Sequence, residues 1–235
     1  KDGFIKPSFF IFVPQLQFSV MKKFLVLGVL FILPIVAYLF FSSGVNNFAK
    51  LPVLTPQISN LEDFTSLDGS EVVLDNKITI LSIYGSNIEA KEGNAFNLNE
   101  KIYDKNYNFE DFQFVVIAEN GTQDQARALL KELSTTIDTR KWKFIFGSST
   151  AIQSFFNSLK TDLDLDEYLG TPKVFIIDKD RSLRGRPKEE GEEAVYGYNT
   201  SSVADLTNTM TDDVKVILAE YRLALKKYNR KEGLK

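Results

Sequence analysis

Three aspartates at alternate positions, Asp162, Asp164 and Asp166 in TDLDLDEYLG, fall at the first three ligand spacings of an EF-hand calcium loop. The rest of such a loop is wrong. Glu167 stands where the sharp turn needs glycine, and Lys173 where the bidentate glutamate belongs. An exposed acidic loop after a helix is the better reading. Glu89, in YGSNIEAKEG, is the second candidate, a lone catalytic acid. A carboxylate without a base or a metal is a poor catalyst, and its stretch has neither phosphate-loop nor serine-hydrolase spacing, so an exposed loop glutamate is expected. The run KEEGEEA at 188–194 reads as solvated loop rather than a docking patch.

What is missing narrows the chemistry further. The chain has 235 residues, no cysteine and no histidine. Thiol–disulfide chemistry needs a thiolate, imidazole is the commonest metal ligand and general base, and Cu(I) wants Cys, Met or His donors. The two methionines, Met21 and Met210, are far apart in sequence. No cofactor and no metal is expected, and a cysteine-borne lipid anchor is excluded. A net charge of −3 supplies no basic field for phosphates, so nucleic acid is not an expected partner.

The elements that would position any site begin with a membrane segment. FLVLGVLFILPIVAYLFF, Phe24 to Phe41, is 18 residues without a charge and covers about 27 Å as a helix. Lys22 and Lys23 precede it, and the next charge is Lys50, which puts the amino end in the cytoplasm and the rest of the chain outside. A cleaved signal peptide ending at Ser42, Ser43 and Gly44 is the alternative. Met21 of MKKFLVLG reads as the start, with residues 1–20 an upstream segment without a fold, 21–44 the anchor and 45–58 an extended linker carrying Pro52 and Pro56. A single domain at 59–235 follows.

Short apolar runs in that domain predict strands at Ile78 to Tyr84, Phe112 to Ala118, Lys143 to Phe146 and Val174 to Asp178. Helical patterns lie between them. One opens at Thr122 with Gln125 as a capping box, and one follows GSST and buries Ile152, Phe155, Phe156 and Leu159. The last runs from Thr211 to Tyr228, with Val214, Ile217, Leu218, Tyr221, Leu225 and Tyr228 on one face. The turn DKDRSL reverses the chain into a short antiparallel strand near Ser182 to Arg186. Alternating strands and helices imply an α/β fold with a mostly parallel central sheet, since parallel neighbours need crossovers that cover both faces. The order is that of an elaborated thioredoxin-like fold.

Residues 60 to 205 resemble the Sco/SenC family, membrane-anchored thioredoxin-like proteins that help deliver copper to cytochrome c oxidase. FTSLDGSEVVL is similar to the family's opening hairpin, ILSIYGSN to the strand before its active loop, and GTPKVFIIDKDRSLRGR to its last strand pair. The resemblance implies copper ligands of two cysteines in a CxxxC loop and one distant histidine. Those positions fall at Glu89, Gly93 and Gly170, so all three ligands are absent and the copper and redox activities do not carry over. The resemblance also implies a cis-proline at Pro172, with a structural role.

The expectation is a degenerate, non-catalytic Sco-like protein of the bacterial inner membrane. It has a single pass through Phe24 to Phe41, its domain lies in the periplasm, and it is not an enzyme. It would act by protein binding in cytochrome c oxidase assembly, with a respiratory oxidase or a metal-competent Sco paralogue as partner. Two other readings stand beside it: a structural or interaction protein of the cell envelope unconnected with copper, and a redox enzyme that recruits its thiol from a partner.

Overall fold

The computed structural model describes residues 16–43, 50–188 and 193–232, in an amino-terminal unit ending at Asn47 and a second unit from Phe48 to Lys235. The first unit holds one helix, α1 (Leu16–Ser43), with Pro34 inside it. Its window Lys22–Leu39 has a mean hydropathy of 2.0 and no buried residues, long and apolar enough to cross a membrane. Of the segment expected to lack a fold, residues 16–20 are helical, because LQFSV contains no breaker and propagating a formed helix is easier than starting one. Residues 1–15 lie outside the described part.

The second unit begins at a strand. Residues 45–58 were expected as linker, but Val53–Thr55 form β1, an edge strand, and Leu51 and Ile58 are buried. Pro52 and Pro56 flank β1, and an edge strand tolerates proline beside it because its outer N–H groups need no partner. β2 (Thr65–Ser66) follows as two residues, and the stretch to Leu74 adds no second strand, so the expected hairpin is reduced to this edge.

The strands β3 (Ile78–Gly85), β4 (Phe112–Glu119) and β5 (Trp142–Gly147) are the parallel centre. Between β3 and β4 lie α2 (Glu92–Leu98), a π-helical turn at Asn99–Tyr103 and α3 (Asp104–Asn106). α4 (Gln123–Leu133) joins β4 to β5, and α5 (Ser149–Ser158) follows β5. The Thr122–Gln125 capping box does not form: Thr122 Oγ1 donates to the Glu119 carbonyl at 2.7 Å, and Gln123 accepts from the Gly121 N–H at 2.9 Å. α5 instead has a true cap, Ser148 Oγ accepting from Ala151 N–H at 3.2 Å.

β6 (Lys173–Ile177), β7 (Leu183–Arg184) and β8 (Tyr198–Asn199) complete the sheet, and α6 (Val203–Asp205), a second π turn at Leu206–Met210 and α7 (Thr211–Glu232) end the chain. The strand order is β1-β7-β6-β3-β4-β5-β2, with β8 also on β6. Parallel pairing is confined to the centre, since β6 lies antiparallel to β3. The cause is the loop after α5. Leu159 O accepts from Thr55 Oγ1 of β1, and Thr171 N–H donates to Ile83 O near the far tip of β3, so the loop climbs the length of the sheet.

Strand alternation sorts the core into two layers. Ile78, Ile80, Tyr84, Phe112, Phe114 and Val116 face α2, α4 and α7. Leu81, Ile83, Val115, Ile117, Phe175 and Ile177 face α5 with its Ile152, Phe155 and Phe156. At the foot of the sheet Arg184, 5% exposed, donates to Leu51 O at 2.6 Å, Asp178 Oδ2 at 2.9 Å and Glu220 Oε2 at 2.6 Å. That network ties the β1 segment and α7 to the same buried charge.

Candidate functional site

The carboxyl end of β3 closes on Gly85, whose φ of +61° lies in the left-handed region that glycine enters at little cost. A Cβ there would collide with the Tyr168 carbonyl, so glycine is needed for close approach as well as for the turn. Ser86 N–H then donates to Tyr168 O at 2.8 Å. A single 3₁₀ turn, Glu89–Lys91, leads into α2, which carries the exposed Gly93.

From the other side the loop Thr161 to Thr171 arrives. Its residues alternate: Thr161, Leu163 and Leu165 are part-buried, while Asp162, Asp164 and Asp166 point out. The aspartate spacing that suggested calcium is thus the outer face of an extended segment whose apolar residues turn inward. Among the described residues no three His, Cys, Asp or Glu side chains converge to hold an ion.

Asp166 is instead the hub of an ion pair. Lys91 Nζ lies 2.8 Å from Asp166 Oδ2, and the Lys91 side chain is only 12% exposed. Asp166 Oδ1 accepts from Tyr168 N–H at 3.0 Å and Gly170 N–H at 2.8 Å. Burial alone would raise the Asp166 carboxyl, but the Lys91 ammonium and these two N–H groups outweigh it and hold it below the usual range. The sequence reading of this stretch as an exposed acidic loop assigned Asp166 no partner and missed Lys91. Their separation of 75 positions left no local signal.

The three positions that the resemblance assigned to ligands are placed as follows. Gly170 sits against the Tyr84 carbonyl and the Lys91 stem, where a Cβ would lie 2.9 Å and 3.0 Å from them. Glu89 and Gly93 stand two residues either side of Lys91, and a Cβ at Gly93 would meet nothing within 4 Å. One carboxylate, two glycines and a neighbouring ammonium do not fit a Cu(I) ion, which wants soft or imidazole donors.

Pro172, expected cis, is trans: among the described residues no peptide bond is cis. The reversal is made earlier, at Leu169 with φ 57°, and Pro172 O already accepts from Thr200 N–H at 2.9 Å as part of an extended run.

Glu89 is not alone. With Glu92, Gln125 and Glu132 it lines a cleft of about 210 Å³ between α2 and α4. The Glu92 carboxyl is raised, first by a hydrogen bond with Glu132 and then by the charges of Glu132 and Glu89. Beneath, on β3, Tyr84 and Ser82 are buried hydroxyls, and burial pushes the Tyr84 phenol up. The end of the sheet therefore offers carboxylates and hydroxyls, with a lysine already committed to an aspartate.

No protein-family model matches the sequence, and no curated protein is similar to it. Solved structures do match in fold. A SCO1/SenC family lipoprotein from Bacillus anthracis superposes with a TM-score of 0.51 at 16% identity, covering 72% of this chain and 99% of that one. BsSco, a member of the Sco family of cytochrome c oxidase assembly proteins, gives a TM-score of 0.50 at 14% identity over 72% of this chain and 98% of its own. The sheet that brings Tyr84, Lys91 and Gly170 together thus has the thioredoxin-like fold seen in Sco/SenC structures.

Proposed function

We propose that this chain is a membrane-anchored, periplasm-facing Sco-like protein that works by binding another protein in cytochrome c oxidase biogenesis, without catalysis of its own. The observation that carries the reading is the Lys91–Asp166 pair. It joins the two loops at the end of a Sco-type sheet, at a place where the chain has neither thiol nor imidazole. The frame is retained, and the groups on it suit polar recognition better than electron or metal transfer. A respiratory oxidase subunit or a metal-competent Sco protein is the partner proposed, and the anchor at Lys22–Leu39 would hold the second unit on the outer side of a bacterial inner membrane.

Affinity capture of the tagged full chain from detergent-solubilised membranes tests this. Co-purification of an oxidase subunit or of a cysteine-containing Sco protein is the expected result. Recovery of envelope components without either would replace the proposal by a structural role in the cell envelope. In parallel, the purified second unit should bind copper no more tightly than micromolar and reduce no disulfide, and stoichiometric copper surviving a competing chelator would overturn the non-catalytic part.

A further inference from the structure

The climbing loop is held in an unusual way. Two non-glycine residues in the left-handed region bracket it, Lys160 with φ 51° and Leu169 with φ 57°, a conformation that persists only where surrounding contacts impose it. Between them the backbone has little to impose it with. Among the described residues no hydrogen bond ties 161–165 to the rest of the unit, and the one made there is local, Leu163 N–H to Thr161 Oγ1. A cleft of about 320 Å³ lies beside this stretch, lined by Gln153, Phe156 and Asn157 of α5 and by Thr161, Leu163 and Asp164. Leu163, Leu165 and Leu169 pack on the core, and the polar ties of the loop gather at its upper end: the Lys91–Asp166 pair, the bonds between Asp166 and Gly170, and the Tyr168 carbonyl accepting from Ser86.

We propose that residues 160–169 form a strap that opens as one piece about Lys160 and Leu169. It is held closed by the Lys91–Asp166 ion pair, and its opening uncovers Leu163, Leu165 and the apolar side of α5 around Phe156. The bond from Tyr168 N–H to Asp166 travels with the strap, while the ion pair, the two bonds from Ser86 to the Tyr168 carbonyl and the two bonds between Asp166 and Gly170, which lies beyond the hinge, must break. The strained ends favour release once the pair is lost. The strap is independent of any role in oxidase assembly, and its failure would leave that proposal standing.

The chain's lack of cysteine makes the test direct. A single thiol introduced by Leu165→Cys into the full chain in detergent reports opening through its rate of reaction with a thiol reagent, and Ser82→Cys, at a residue 2% exposed on β3, reports opening of the core. Lys91→Met keeps the stem over Gly170 and removes the charge. It should speed labelling at Leu165→Cys by about tenfold or more while leaving Ser82→Cys unchanged, and Lys91→Arg should restore the slow rate. Equal rates with Lys and Met, or the same acceleration at both thiols, would overturn the strap. A second measurement needs no variant at residue 91: in the unmodified chain, the Ser86 amide should exchange with a weaker denaturant dependence than amides of β4, and equal dependence would overturn local opening.

Discussion

At Gly85 and Gly93 the same residue type has opposite reasons to be there. Gly85 combines a positive φ with backbone contact from Tyr168. Gly85→Ala should therefore cost about 2 kcal/mol or more. Gly93 lies in α2 with open space around its Cα, and Gly93→Ala should stabilise the protein by about 0.5 kcal/mol through lost unfolded-state freedom. Urea unfolding of the second unit measures both, and equal effects would show that the close approach at Gly85 has been misjudged. Tyr221 gives a pH signature. Its phenol accepts from Lys179 N–H at 3.1 Å, and burial, with Asp178 and Asp180 nearby, pushes it up to about 12. Because the folded value is raised, the neutral phenol's contribution is complete below about pH 10, the ordinary value, and is lost as pH rises through 12. Tyr221→Phe should make alkaline unfolding between these values shallower.

Among the elements, those with continuous apolar runs were legible in the sequence. β3, β4 and β6 begin and end within a residue or so of the apolar runs that announced them, and Ile152, Phe155, Phe156 and Leu159 are buried as their helical spacing required. β1 was hidden by its prolines, which resemble a tether until the edge position of the strand is known. The Lys91–Asp166 pair was hidden by distance along the chain, and the alternation of Leu163 and Leu165 with aspartates was read for its charges rather than for its period. β1 also carries a prediction. A chain starting at residue 59 loses Leu51, whose carbonyl accepts from buried Arg184, together with Thr55 and Ile58. It should be less stable than one starting at residue 46 by about 4 kcal/mol or more, as measured by denaturant midpoint, since two buried apolar side chains and a partner of a buried cation are removed together.

For the molecule as a whole, orientation rests on Lys22 and Lys23 before an apolar helix. A phosphatase fused after Lys235 should be active, and the protein should remain with membranes after a carbonate wash. Activity together with release into the soluble fraction would mean that the helix is cleaved. The pairing of β1 with β7 has a further consequence, for the time course of folding. Leu51 O waits for Arg184, which is made 133 residues later, and β3 waits for β6, whose partners come later by 92 (Ser82 to Val174) to 98 (Thr79 to Ile177) residues. Such long-range closures are slow, because the intervening chain must surrender its freedom before the contact rewards it. As the chain emerges amino end first, β3 and β4 can pair early, but the open edge of β3 stays uncovered until the climbing loop and β6 have come through. The nascent protein thus passes through a stage in which a nearly complete apolar strand has one unpaired side, and its yield in the cell should depend on how fast the stretch from the end of β4 at Glu119 to the end of β6 at Ile177 follows.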